Sequence, residues 1–190
     1  MTTPDSDSDS TYFHTHPVTA SILSDPSYTR VPTVTKHHHD PFFRRAGRTN
    51  SAVLHWAFLY RATPHPPEGH LLLHVGHGVC GQSGIAHGGF LATVMDEVCG
   101  NLIDSVKLDE GLGMVTAALN VGYKRAVMVE GFDLETGEGI GSGEGNVIIA
   151  TARLDRVEGR KVFIEAVIRD EKGEVCTTAQ AIFVKKKPAL

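Results

Sequence analysis

Long apolar runs are missing from this chain of 190 residues: its hydrophobic stretches are interrupted well short of the roughly 20 residues a membrane helix needs. Cysteine is scarce too. The three present, Cys80, Cys99 and Cys176, are an odd number without paired spacing, which excludes a disulfide framework and suits a reducing compartment. There is no excess of basic residues. A net charge of −4, with no basic stripe, removes the electrostatic case for nucleic acid. The N-terminus has neither the basic nor the hydrophobic region of a secretory signal. Residues 1–10 are acidic and rich in Ser and Asp, unlike a mitochondrial presequence, and Pro188-Ala189-Leu190 is no peroxisomal address. A cytoplasmic protein is the expectation.

What is present concentrates between His87 and Asp96. The run His-Gly-Gly-Phe-Leu-Ala-Thr-Val-Met-Asp opens a hydrophobic helix on two glycines and places a carboxylate two turns in. Extended to Ile103, it carries an apolar stripe at Phe90, Leu91, Val94, Met95, Val98, Cys99, Leu102 and Ile103. That stripe faces a core. The other edge holds Ala92, Thr93, Asp96 and Gly100, so small residues flank Asp96 one turn either way and leave room for a ligand. Glu97 competes for the same role, but about 100° of rotation separates the two acids, so only one faces the site. Unpaired N–H groups and the dipole at a helix start suit an oxyanion, and acyl transfer needs such donors together with a base.

The segment Gly84 to Asp96, followed by Val115 to Arg125 (Val-Thr-Ala-Ala-Leu-Asn-Val-Gly-Tyr-Lys-Arg), resembles the hotdog-fold acyl-CoA thioesterases, within them the PaaI-like group. The likeness covers residues 50–184. It implies an α+β hotdog fold, a curved antiparallel sheet wrapped around one long central helix, hydrolysing acyl-CoA or acyl-carrier thioesters. It implies Asp96 as base or nucleophile and the Gly88 amide as oxyanion donor, with Gly89 beside it. His87 then assists at the sulfur, and Thr116 holds the acid or the water. Lys124 and Arg125 meet coenzyme A phosphates. Many relatives carry an Asn six residues before the His; here that position is Gly81, and the neighbouring Gln82 is the substitute amide. No cofactor is implied beyond the coenzyme A of the substrate. A homodimer is implied, with a dimer of dimers as the further assembly left open.

Other constellations are weaker. Neither His37-His38-His39-Asp40 nor His70, His74 and His77 has zinc-motif spacing, so no metal is expected. Gly81-Gln82-Ser83-Gly84-Ile85 fails as a nucleophile elbow at its last two positions. A hydratase of the same fold would need an Asp-x-x-x-x-His, and the only match is Asp9 with His14. A silent acyl-CoA-binding module stays open, because fold does not fix function.

Residues 1–48 read as a flexible extension and 49–190 as the folded domain. Within the extension, residues 1–20 look disordered, and the stretch to Arg48 forms a short helix or an arm. Strands are expected at 51–61, 70–75, 115–129, 146–157, 160–169 and 174–184, the last three joined as hairpins. The glycine-rich stretch between Gly131 and Gly145 reads as a surface insertion.

Overall fold

The computed structural model describes residues 11–31, 51–63, 66–82, 84–129, 136 and 146–187. The strands are β1 (Thr29–Val31), β2 (Val53–Arg61), β3 (Glu68–Val75), β4 (Cys80–Gln82), β5 (Ile85–Ala86), β6 (Met114–Tyr123), β7 (Asn146–Glu158), β8 (Lys161–Asp170) and β9 (Val175–Lys185). The two longest helices among the described residues are α1 (Pro17–Ser24) and α2 (Gly88–Ser105). Seven strands form one antiparallel sheet in the order β1-β2-β3-β7-β8-β9-β6, and β4 with β5 makes a small hairpin at the entrance to α2. This is the expected α+β arrangement of one sheet and one long helix.

Alternation along each strand builds the core. On β8, Val162, Ile164, Ala166 and Ile168 are buried in the cluster that includes the α2 stripe, while Lys161 and Glu165 are exposed. On α2 the whole stripe is buried except Phe90, which stays half-buried in the first turn. After Ser105 the chain turns through Lys107 at φ 60°, a left-handed conformation that ends the helix and redirects the backbone into β6.

β3 is buried along its full length, which one helix cannot achieve. Its second face is covered by residues that the composition assigns to a disordered tail. Phe13 is fully buried against Ala57, Leu59, Leu72, Val147 and Ile149, with Tyr12, Ile22, Leu23 and Tyr28 around it. The acidic run at 1–10 depresses the average of this region, but Tyr12, Phe13, Ile22, Leu23 and Tyr28 share one surface. Burying the Phe13 ring alone contributes about 2–3 kcal/mol. Within the extension, the stretch from Tyr12 to Tyr28 thus supplies side chains packed on the sheet. The runs His37–His39 and Gly131–Gly145 lie outside the described residues, apart from Thr136.

The strand expected at 115–129 ends at Tyr123. The β-favouring run continues, but its partner changes: Ala86 N donates to Val127 O (3.0 Å) and Val129 N to Gly84 O (2.8 Å). Residues 127–129 thus leave the sheet and brace the hairpin that leads into α2.

A polar cluster fastens the arm to the outer face of the sheet. Glu68 is almost fully buried and accepts from Tyr28 Oη (2.6 Å), Arg61 Nη2 (3.0 Å) and Arg153 Nε (2.9 Å). His70 joins Tyr28 Oη through Nε2 and Thr151 Oγ1 through Nδ1, each at 2.9 Å. Hydrogen bonding, to His70 first and then to Tyr28 and Arg153, holds the Glu68 carboxyl well below the usual carboxylate range. Burial, reinforced by Glu68, raises the Tyr28 phenol.

Candidate active site

His87 is the residue before the helix, and its own ring caps it. Gly89 N donates to His87 Nδ1 at 2.9 Å, and His87 N is anchored on Val79 O at 2.8 Å. An Nδ1 that accepts leaves the neutral ring's proton on Nε2, an assignment made from the hydrogen-bond network. His87 is exposed, so this Nε2–H is a donor at the surface of the site. The amide of Gly89, expected to bind substrate, is instead engaged by the cap. Gly88 N–H has no acceptor one turn back, as helix geometry dictates for a first residue, so it is a donor left over at the helix start.

Asp96 sits half-buried on the edge of α2 that faces β6. Its Oδ1 accepts from Thr116 Oγ1 at 2.8 Å. Beside it the helix edge is open: a Cβ placed on Gly100 would meet nothing within 4 Å. Glu97 is held differently, since Asn101 Nδ2 donates to its Oε1 at 2.7 Å one turn along the same helix. Of the two acids, Asp96 is the one tied to the β6 side.

Gln82 is exposed on β4, opposite Ile85, and no described contact joins it to Asp96, Thr116 or His87. The reason lies next door. A Cβ on Gly81 would come within 2.5 Å of His87 Cδ2 and 3.1 Å of His87 Cβ, so the ring occupies the space a side chain at 81 would need. Gly81→Asn, which restores the relatives' amide, is expected to displace the His87 ring and its cap. The cost is about 1–3 kcal/mol, read as a lower thermal unfolding midpoint.

Lys124 and Arg125 are not brought to the Asp96 face. Their amides both donate to Cys176 O as the strand ends. Lys124 then lines a cleft of about 820 Å³ on the outer face of the sheet, with Glu68, Arg153, Glu165 and Arg169, while Arg125 forms an exposed ion pair with Glu174 at 3.2 Å. Sequence reasoning favours the charged members of Tyr-Lys-Arg, whereas alternation turns the tyrosine toward the helix. Tyr123 Oη donates to Gly88 O at 2.7 Å. The buried acid of the outer cleft is already neutralised by arginines, and Asp96 is not among its lining residues. The unpaired helix-start donor and the half-buried acid both lie on the other face.

Cys80, near the hairpin, is no activated nucleophile: burial raises its thiol. Among the described residues no three His, Cys, Asp or Glu side chains gather as a metal site, and no helix is long and apolar enough to cross a membrane.

Residues 83–135, which hold the hairpin turn, α2 and β6, match the profile of the thioesterase superfamily. Two solved structures share the fold. A thioesterase superfamily protein superposes with a TM-score of 0.53 at 21% identity, covering 69% of this chain and 54% of that one. An aspartate-to-alanine mutant of a hypothetical thioesterase protein from Streptococcus pneumoniae gives 0.52 at 17% identity, covering 72% and 95%. The fold is the hotdog fold of thioesterases. The mouse acyl-coenzyme A thioesterase THEM4 is 32% identical over 110 residues, 57% of this chain and 39% of the relative. Its Xenopus laevis counterpart is 32% identical over 109 residues, 57% and 40%. This chain thus spans about two fifths of the length of these curated relatives. In the hotdog frame, α2 is the central helix and β6 the edge strand beside its acid.

Proposed function

We propose that this protein hydrolyses acyl thioesters of coenzyme A, or of an acyl carrier protein, to a carboxylate and a free thiol. The observation that carries the reading is the Thr116–Asp96 hydrogen bond on the same α2–β6 seam that holds the capped, glycine-opened helix start. Asp96 takes a proton from water as the oxygen attacks the thioester carbonyl carbon. The carbonyl becomes an oxyanion held by a Gly88 N–H. When the C–S bond breaks, the thiolate accepts a hydrogen bond from His87 Nε2–H and takes its proton from the protonated Asp96, which regenerates the carboxylate base.

One chain cannot supply both groups to one carbonyl. Gly88 and Asp96 are eight residues apart on a helix, about 12 Å along its axis, while a reacting carbonyl must lie within about 3 Å of each. A second copy resolves this. β6 is the edge of the sheet, and no described strand covers its outer side. Two copies paired antiparallel through β6, with Thr116 across from Tyr123, would set Asp96 of one copy toward Gly88 of the other. This supports a homodimer with two composite sites, which sedimentation would report as twice the chain mass. Tetramers would need a further surface. The free cysteines are consistent with a reducing, cytoplasmic setting.

Thiol release from short, long and aryl acyl-CoA substrates by the purified protein is the test. Turnover of at least one class supports the reading. Saturable acyl-CoA binding with no release from any substrate would overturn it in favour of a silent binding module.

A further inference from the structure

Tyr123 makes two contacts with one glycine. Its hydroxyl donates to Gly88 O at 2.7 Å, and its ring lies so close that a Cβ on Gly88 would sit 3.3 Å from Tyr123 Cζ and Oη. The far end of the same Gly88–Gly89 peptide is also fixed, because Gly89 N donates to His87 Nδ1 at 2.9 Å. A single peptide plane is therefore pinned at both its oxygen and its nitrogen. The pins come from different parts of the chain, the end of β6 and the residue before α2.

The glycines make such a pin necessary. Glycine has the widest backbone freedom of any residue, and the first turn of a helix is where fraying begins. The Gly88 N–H lies on the neighbouring His87–Gly88 peptide, whose oxygen accepts from Leu91 N at 3.1 Å, and it joins the pinned plane through the Gly88 Cα, where glycine restrains the angle between the two planes least. An oxyanion donor acts only when aimed at the place where charge develops. We infer that Tyr123 is a positioning residue: through the Gly88 carbonyl it fixes the helix-start peptide, and so aims the Gly88 amide and holds His87 as the Nε2–H tautomer. The inference rests on the thioesterase reading above. It adds a residue that touches no reacting atom.

The test is Tyr123→Phe, which keeps the ring and removes the hydroxyl. Expected is a fall in kcat of about tenfold with KM changed less than about twofold, since the loss falls on the transition state. The thermal midpoint should stay within a degree or two. In a Gly88→Ala background, where the new methyl crowds the Tyr123 ring and hydroxyl and glycine's freedom is gone, the same change should cost less than about twofold. Hydrogen exchange gives a readout independent of catalysis: amides of residues 88–91 should exchange about ten times faster in Tyr123→Phe, with β7 and β8 amides unchanged. Unaltered kcat together with unaltered exchange would overturn the inference, as would full additivity with Gly88→Ala. A protein with no thioesterase activity but with the accelerated exchange would sink the catalytic reading alone and leave the pin standing.

Discussion

Asp96→Asn is expected to lower thioester turnover by about 10²–10⁴-fold while the protein stays folded, because the change removes a proton acceptor and almost no volume. The asparagine Oδ1 still accepts from Thr116, so the bond between α2 and β6 survives. KM should move by no more than a few-fold, as the acid acts on the attacking water and not on the coenzyme. Glu97→Gln is the control. Its partner Asn101 lies on the same helix, and an amide at 97 can keep a hydrogen bond there, so turnover should stay within about twofold. Initial rates of thiol release, with circular dichroism of each variant, measure both. An Asp96→Asn enzyme retaining more than about a third of wild-type kcat would remove this acid from the mechanism.

That experiment can be designed from the sequence alone, and the reason is physical. The period of Leu91, Val94, Met95, Val98 and Leu102 fixes which face of α2 is buried, and thereby which edge carries Asp96. Glycines at a helix start announce themselves equally well. Illegible are the features set by partners far away in the chain. Nothing local to Phe13 or Tyr28 shows that they pack on strands that begin at Val53 and Glu68. In Tyr-Lys-Arg, charge is the louder signal and hides the tyrosine, although strand alternation after Thr116 and the bulge there decide which side chain faces the helix. Gly81 reads along the chain as a missing amide. Its necessity, the ring of His87 filling the space, exists only in three dimensions.

Glu68 shows how much such a long-range contact carries. Glu68→Gln keeps the shape of the side chain but leaves Arg61 and Arg153 without their anion and weakens the grip on Tyr28. With the arginines partly exposed, the expected loss at pH 7 is about 2–3 kcal/mol, below the full cost of breaking a buried pair. Proteolytic sensitivity at residues 11–31 should rise, because Tyr28 fastens that segment to the sheet. The sign of the pH dependence follows from the carboxyl's depressed pKa. In the unfolded chain Glu68 takes up its proton near its ordinary value of 4.5, whereas in the folded protein it stays ionised well below that. Its contribution is therefore fully present above about pH 5 and is lost as pH falls from there toward the folded value. An amide at position 68 cannot titrate, so the gap in thermal midpoint between wild type and Glu68→Gln should be widest at about pH 6–7 and narrow progressively from about pH 5 to pH 3. A constant gap across that range would mean that the carboxylate's charge does not hold the arm.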